Sequence, residues 1–371
     1  MERRVFVRNT VMGMAAFAGT GLVGLGAEEL KANGRAASAI SLESSAGPRI
    51  GRPVRIVSIG FKSSMPLSAI EGRVDEEGSR GADLIVLPEL CRGQGKTSEE
   101  PLHGPTVTAM AVLAKKHKTY IATPIDRRDG ARRLNSVVLI DRSGQIACVY
   151  DKVFPYWSEY AVQPSVSPGE SVQVYEADFG RVGIATCFDA NFPEVWRRLS
   201  DKGAELVVWP SEYSGGSSLQ AHAIDYHYYI VTSSQTPDCI VYDITGERLL
   251  YEKARGINVS RVAVDLDRGI YHQNFNIAKR DKLLKEHSED IVQEQWMALE
   301  QWFVLKAKRP GVNARQLAHQ YGLEELRHYI DRSRVAIDNR RGWEFAEKVV
   351  FPNQNIAELK TLSQKHNSMI G

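Results

Sequence analysis

A single cysteine lies between an apolar run and a helix start near the middle of this 371-residue chain. The run from Val182 to Ala185 leads to Cys187, and Pro193 marks the first position of the next helix. Because the N-terminus of a helix favours negative charge, this position predicts a lowered thiol pKa and a reactive thiolate. The alternative is a plain core residue, since buried free cysteines pack as small hydrophobic groups.

Two further ionisable residues follow buried strands. The run from Leu84 to Leu87 ends in Pro88 and Glu89, and Lys152 comes just after the strand and turn of residues 135–149. Taken singly, a glutamate or lysine at a strand end is typical of a solvated surface charge.

Glu89, Lys152 and Cys187, in this order and each at a strand end, resemble the nitrilase superfamily of carbon–nitrogen hydrolases, in particular its amidase-like branch. The resemblance runs from about Arg55 to Asp267. It implies an α/β fold, a four-layer α-β-β-α sandwich. It also implies an enzyme that converts a linear amide to a carboxylate plus ammonia or an amine, through a thioester and without a cofactor. Two protomers commonly pack sheet to sheet in this family, which implies a homodimer or higher homo-oligomer.

The resemblance also implies roles for single residues. Glu89 would take and return the proton, and Lys152, with the backbone N–H of Phe188, would stabilise the oxyanion. Glu159 is the best match to a further glutamate that orients the site, with a surface loop charge as the alternative. Asp189 is expected to cap and orient the turn that carries the nucleophile.

Four positions after the nucleophile bear on the substrate. True nitrilases typically have Trp-Glu where this chain has Phe188-Asp189, and carbamoyl-amino-acid hydrolases often have arginine where it has Ala190 and Asn191. A missing arginine removes a bidentate anchor for a substrate carboxylate. We therefore expect neutral linear amides first, N-carbamoyl amino acids second and nitriles third. A non-catalytic binding protein on the same scaffold is the alternative from another functional class.

The first 39 residues resemble a twin-arginine signal peptide. Arg3 and Arg4 precede a weakly apolar run from Thr10 to Gly26, and Ala37-Ser38-Ala39 fits a cleavage site. This predicts export to a bacterial periplasm by the twin-arginine machinery, with an uncleaved membrane anchor as the alternative.

Composition excludes several other classes. Hydrophobic residues make up 43% and charged residues 25%, which is ordinary for a globular protein. The formal net charge of +2 gives no electrostatic argument for a nucleic-acid partner. No His-x-x-x-His or Cys-x-x-Cys pair occurs, so a metal site is unsupported. The four cysteines are interpreted as free thiols.

Alternating buried strands and amphipathic helices over residues 50–270 predict a mixed α/β hydrolase domain with helices outside the sheets. Residues 271–371 are predicted to form a helical C-terminal extension. Its first amphipathic helix is predicted at Gln293 to Ala307, and two more at Ala314 to Tyr321 and Leu323 to Arg334. A DNA-binding helix–turn–helix is disfavoured because acidic residues alternate with its arginines.

Overall fold

The computed structural model describes residues 49–63, 65–161 and 164–341. The proposed signal peptide of residues 1–39, with its twin arginines and cleavage site, lies outside the described residues. The C-terminal end of the predicted extension, residues 342–371, also lies outside them.

Strands and helices alternate along the first part of the described chain. In chain order they are β1 (Pro53–Phe61), α1 (Leu67–Ser79), β2 (Leu84–Val86), α2 (Pro105–His117), β3 (Tyr120–Asp129), β4 (Arg132–Ile140), β5 (Ile146–Asp151), α3 (Trp157–Ala161), β6 (Val174–Ala177), β7 (Gly180–Ile184) and α4 (Pro193–Asp201). A single 3₁₀ turn, Cys187–Asn191, stands between β7 and α4.

The remaining elements complete the sandwich and add a smaller sheet. They are β8 (Leu206–Ser211), α5 (Ser217–Tyr226), β9 (Tyr229–Ser234), β10 (Asp238–Tyr242), β11 (Arg248–Lys253), β12 (Ile257–Asp265), β13 (Gly269–His272), α6 (Ile277–Glu286), β14 (Ile291–Met297), β15 (Trp302–Ala307), α7 (Ala314–Gln320) and α8 (Leu326–Arg341).

Two mixed sheets face each other. One has the order β12-β1-β2-β3-β4-β5 and the other the order β11-β10-β9-β8-β7-β6. Strands β1, β2 and β3 run parallel to one another, and so do β7, β8 and β9. The remaining neighbours within these two sheets pair antiparallel.

The apolar side chains of both sheets form one shared core. Val86 and Leu139 of the first sheet, with Ile184 and Val208 of the second, are all completely buried within it. Helices α1 and α2 cover the outer face of the first sheet, and α4 and α5 pack on the second through side chains such as Trp196. The predicted four-layer α-β-β-α sandwich is thereby confirmed.

The C-terminal segment contains helices, as predicted, but one of its predicted helices is wrong. Residues from Gln293 to Ala307 form most of the antiparallel pair β14 and β15, in a sheet of order β13-β15-β14. Trp296, Leu299 and Trp302 are spaced three residues apart, which also fits one face of a helix. In the hairpin, however, Trp296 lies opposite Phe303, and Leu299 is 92% exposed in the connecting loop. Cross-strand packing of aromatic side chains therefore outweighs the local pattern.

Among the described helices, none has the length and apolarity needed to cross a membrane.

Candidate active site

The topology brings the ends of four strands to one region. Strand β5 runs in the same direction as β2 because two antiparallel steps separate it from β3. Glu89, which follows β2, and Lys152, which follows β5, therefore emerge at the same edge of the first sheet. The parallel strands β7 and β8 do the same for Cys187 and Glu212 in the second sheet. All four residues line one pocket of about 450 Å³.

A buried ammonium group is held between two carboxylates. Lys152 Nζ lies 2.9 Å from Glu89 Oε1 and 2.6 Å from Glu159 Oε2, and both Lys152 and Glu89 are only 1% exposed. The backbone N–H of Tyr156 also donates to Glu159 Oε2, at 2.7 Å. Glu159 is thus a buried member of the site and not a surface loop charge, which excludes that alternative.

Asn135 joins the same group, although nothing local in the sequence indicates it. Its Nδ2 donates to Glu89 Oε1 at 2.7 Å and to Glu159 Oε1 at 2.8 Å. Asn135 lies on β4, between the strands that carry the other residues, so its position becomes apparent only from the strand order. We call Glu89, Asn135, Lys152 and Glu159 the inner cluster.

The electrostatics of the inner cluster keep the lysine charged. Burial alone would lower the pKa of Lys152, but the negative charges of the Glu89 and Glu159 carboxylates raise it well above its usual range. A permanent positive charge therefore lies beside the thiol. Such a charge in a water-poor site can stabilise a developing oxyanion.

The turn that carries Cys187 is tightly specified. Cys187 adopts a left-handed backbone with φ of 46°, a conformation that a residue with a Cβ rarely takes. Asp189 is completely buried and caps the turn, accepting from the backbone N–H of Thr186 at 2.9 Å and from the hydroxyl of Tyr150 at 2.6 Å. The carbonyl of Asp189 accepts from Trp196 Nε1 at 2.9 Å. These bonds hold the backbone of Cys187 in its strained geometry.

The expected lowering of the thiol pKa is wrong. Burial, and then the charge of Glu89, raise the pKa of Cys187 well above its usual range, although the ammonium of Lys152 acts in the opposite direction. Burial also raises the pKa of Asp189, to about 6, against the hydrogen bonds from Tyr150 and Thr186. Desolvation of the sulfur outweighs the dipole of the short turn. The sulfur therefore rests as a thiol and needs a base, and Glu89 lies where a base is required.

The rest of the pocket wall combines aromatic and uncharged polar groups. Tyr156 contacts Phe188 edge to face, with ring centroids 5.2 Å apart, and the Tyr213 hydroxyl lies 3.5 Å from the carbonyl oxygen of Cys187. Gln94 and Asn191 also line it. The described residues contain no group of three or more histidine, cysteine or acidic side chains arranged to hold a metal.

A larger cavity, of about 610 Å³, lies elsewhere, where α8 meets the second sheet. Its wall holds Arg52, Glu205, Arg315 and Glu325, which form ion pairs with one another. It includes none of the inner cluster and no cysteine, so the smaller pocket is the candidate active site.

Comparison with known proteins identifies relatives whose sequences are similar to part of this chain. The chain is 29% identical over 190 residues to a citrullinase of Francisella tularensis, which covers 47% of this chain and 64% of that protein. It is 28% identical over 190 residues to an N-carbamoylputrescine amidase of Arabidopsis thaliana, covering 47% of this chain and 63% of that protein. In both cases the aligned part spans a little under two thirds of the relative's length.

A solved structure has the same fold. It is a mutant of an amidase of the nitrilase superfamily from Nesterenkonia AN1, with a TM-score of 0.51 and 20% sequence identity, covering 58% of this chain and 93% of that one. Residues 67–270 match the family model for carbon–nitrogen hydrolases, which is more than half of the chain. The matched region contains every member of the inner cluster and the turn that holds the buried thiol, and on this match the chain belongs to the carbon–nitrogen hydrolase family, the nitrilase superfamily.

Proposed function

We propose that this protein hydrolyses the carbon–nitrogen bond of linear amides through a covalent thioester on Cys187. The observation that supports this most strongly is the placement of Glu89 and Lys152 beside that thiol in one pocket. Each of the three groups answers one requirement of acyl transfer: a nucleophile, a proton carrier and a positive charge for the oxyanion.

In the first half-reaction, Glu89 takes the proton from the Cys187 sulfur as the sulfur bonds to the amide carbon. Because the pKa of the thiol is raised, this transfer accompanies the attack instead of preceding it. Lys152 and the backbone N–H of Phe188 stabilise the oxygen that becomes negative. Glu89 then delivers the same proton to the nitrogen, the carbon–nitrogen bond breaks, and ammonia or an amine leaves.

In the second half-reaction, water replaces the nitrogen. Glu89, ionised again, takes a proton from a water molecule as its oxygen bonds to the thioester carbon. The carbon–sulfur bond breaks, the sulfur regains the proton from Glu89, and the carboxylate product leaves. The proton balance closes within the inner cluster, so no cofactor is required.

The order of substrates is also a proposal. The pocket presents Asn191, and not an arginine, where a substrate carboxylate would need an anchor. A charge-assisted contact of that kind stabilises a complex by roughly 1.5–3 kcal/mol, or about 10- to 150-fold in affinity. Amides without a carboxylate therefore come first, N-carbamoyl compounds second and nitriles third.

The test is a side-by-side series of kcat/KM values for a matched amide, N-carbamoyl amino acid and nitrile, followed by ammonia release. We expect the amide to be the best substrate. A carbamoyl compound that exceeds every amide by tenfold or more would overturn the order. Failure of all three substrate types to release ammonia would instead favour a binding protein on this scaffold.

We also propose that the precursor is exported by the twin-arginine machinery. Changing Arg3-Arg4 to Lys-Lys is expected to leave the precursor in the cytoplasm, because the machinery recognises that pair. Cell fractionation and immunoblotting measure the outcome. Processed Lys-Lys protein in the periplasm would contradict the proposal.

A further inference from the structure

One acidic side chain of the pocket has no side-chain partner in the part of the chain that the structure describes. Glu212 follows β8, and its side chain is exposed at the pocket wall. Within the described residues its carboxylate takes part in no hydrogen bond or ion pair. In contrast, the acidic side chains of Glu89, Glu159 and Asp189 are each held by at least two donors.

The backbone of Glu212 is nevertheless fixed against the reacting groups. Its N–H donates to Glu89 Oε2 at 3.0 Å and also stabilises the negative form of the Cys187 sulfur. The next N–H, of Tyr213, donates to Ser211 Oγ at 3.0 Å. The carboxylate of Glu212 is therefore carried by a backbone of defined position, directly beside the site of bond cleavage.

The charges of the pocket do not balance. Three carboxyl groups line it, from Glu89, Glu159 and Glu212, against a single described cation, Lys152, whose ammonium is already bonded to the first two. The remaining polar lining groups, such as Asn191, are uncharged. A carboxylate on the substrate would be repelled here, and a positive charge would be attracted.

The aromatic lining of the pocket also favours a positively charged substrate group. Tyr213 follows Glu212 directly, and Tyr156 and Phe188 contribute further rings to the wall. Ring faces attract cations through their quadrupole. Burial raises the pKa of Tyr213 to about 12, so its ring remains a neutral phenol and adds no competing charge at neutral pH.

We propose that Glu212 is a specificity-determining residue that selects amides whose short acyl chain carries a primary ammonium group. The ammonium pairs with the Glu212 carboxylate while the amide carbon lies against Cys187. This inference rests on the proposed amide hydrolysis. Among amides without a carboxylate, it places cationic amides ahead of the neutral linear amides that the sequence favours.

The test compares three amides of similar length: γ-aminobutyramide, which is cationic, its neutral isostere valeramide, and the anionic succinamate. The assays run at mildly alkaline pH, because partial burial and the charge of Glu89 raise the pKa of Glu212. For the wild type, we expect kcat/KM for γ-aminobutyramide to exceed that for valeramide by at least about tenfold, mainly through KM, with succinamate lowest.

Substitutions of Glu212 then test whether this residue causes the preference for the cationic amide. In Glu212→Gln the ratio between the cationic and neutral amides is expected to fall to about threefold or less, and Glu212→Lys is expected to favour succinamate. Glu252→Gln removes an equal charge from an exposed strand position outside the pocket and serves as the matched control, with the wild-type ratio expected. Equal use of γ-aminobutyramide and valeramide by the wild type, or an unchanged ratio in Glu212→Gln, would overturn the proposal.

A binding experiment separates this inference from the proposed function. Calorimetry on the Cys187→Ala protein compares affinity for γ-aminobutyramide and valeramide without turnover, and Cys187→Ala/Glu212→Gln is expected to lose the difference. A preference that remains in the double variant counts against the role of Glu212. If the wild type released no ammonia from any amide, the proposed hydrolysis would fail, while the binding comparison would still decide what Glu212 recognises.

Discussion

The acidic side chains of the pocket fall into two groups that are held in different ways. Glu89 and Glu159 are buried, and each contacts both Lys152 and Asn135. Glu212 is exposed at the wall and has no side-chain partner among the described residues. The inner cluster is therefore complete before substrate binds, whereas the Glu212 carboxylate remains available to a group on the substrate.

This contrast predicts two kinds of kinetic effect. A change in the inner cluster should slow every substrate by a similar factor, because it acts on the amide bond that all of them share. A change at Glu212 should instead alter the ratio between substrates, because it acts on the group that distinguishes them.

Within the inner cluster, the largest effect is expected at Glu89. Glu89→Gln keeps the volume but removes the proton acceptor, so kcat/KM should fall on the order of 100- to 10,000-fold, as for other general bases. The same factor is expected for γ-aminobutyramide and valeramide, within about threefold, in steady-state assays of ammonia release. A large loss with one of these amides and not the other would break the distinction between the two groups.

Lys152→Ala is expected to reduce both rate and stability. Loss of an oxyanion donor typically costs on the order of 100- to 1000-fold in rate. Removing the ammonium also leaves two buried carboxylates uncompensated, which should lower the free energy of unfolding by about 3–5 kcal/mol in denaturant titrations. The control is Lys306→Ala, which breaks a partly exposed ion pair with Glu294 and should cost about 1 kcal/mol or less. Equal losses in the two variants would show that Lys152 does not neutralise the cluster.

A smaller effect is expected at Asn135, which positions both glutamates. Asn135→Ala removes two hydrogen bonds to charged groups, each contributing about 1.5–3 kcal/mol, so kcat/KM should fall roughly 10- to 150-fold if one of them governs the geometry of Glu89. KM for valeramide should change less than kcat. A loss confined to KM would indicate that Asn135 contacts substrate instead of holding the cluster.

The smallest effect is spectroscopic and concerns the resting sulfur. Because burial and Glu89 raise the pKa of Cys187, the thiol form is favoured at neutral pH, and its thiolate should appear only as the pH rises past the usual cysteine range. The measurement is the ultraviolet thiolate absorbance of the wild type minus that of Cys187→Ala across pH. A thiolate signal already at its plateau at neutral pH would contradict a raised pKa of Cys187. It would instead support the lowered thiol pKa that the nearby helix N-terminus predicts.

Much of the sandwich could be predicted from local pattern. The helix Pro193–Asp201 and the strand Tyr229–Ser234 have the bounds that apolar periodicity and turn residues indicate. The hairpin over Gln293 to Ala307 could not be predicted from local pattern, since its aromatic spacing fits a helix as well as a strand. What decides between the two is the pairing of β15 with β13 and β14, which is a tertiary contact.

The residues of the site also divide into those that local sequence predicts and those that it does not. Cys187, Glu89 and Lys152 stand out because each follows an apolar run, and their order completes the resemblance. Asn135 lies within a strand and Glu212 looks like any strand-end charge, so neither has a local signature. Their importance follows from which strands are neighbours, and the raised pKa of Cys187 follows from burial that the local sequence does not reveal.

In the proposed reaction, the Cys187 sulfur bonds covalently to the acyl group of the substrate with the help of the inner cluster. The most direct measurement is the mass of the protein quenched in acid during turnover of its best amide, with peptide mapping to locate any adduct. We expect an added acyl mass on the peptide that contains Cys187, and neither adduct nor ammonia release from Cys187→Ala. A control Cys148→Ala, which removes a half-buried thiol of β5, should keep both. Ammonia release at the wild-type rate from Cys187→Ala would contradict covalent catalysis by the Cys187 sulfur.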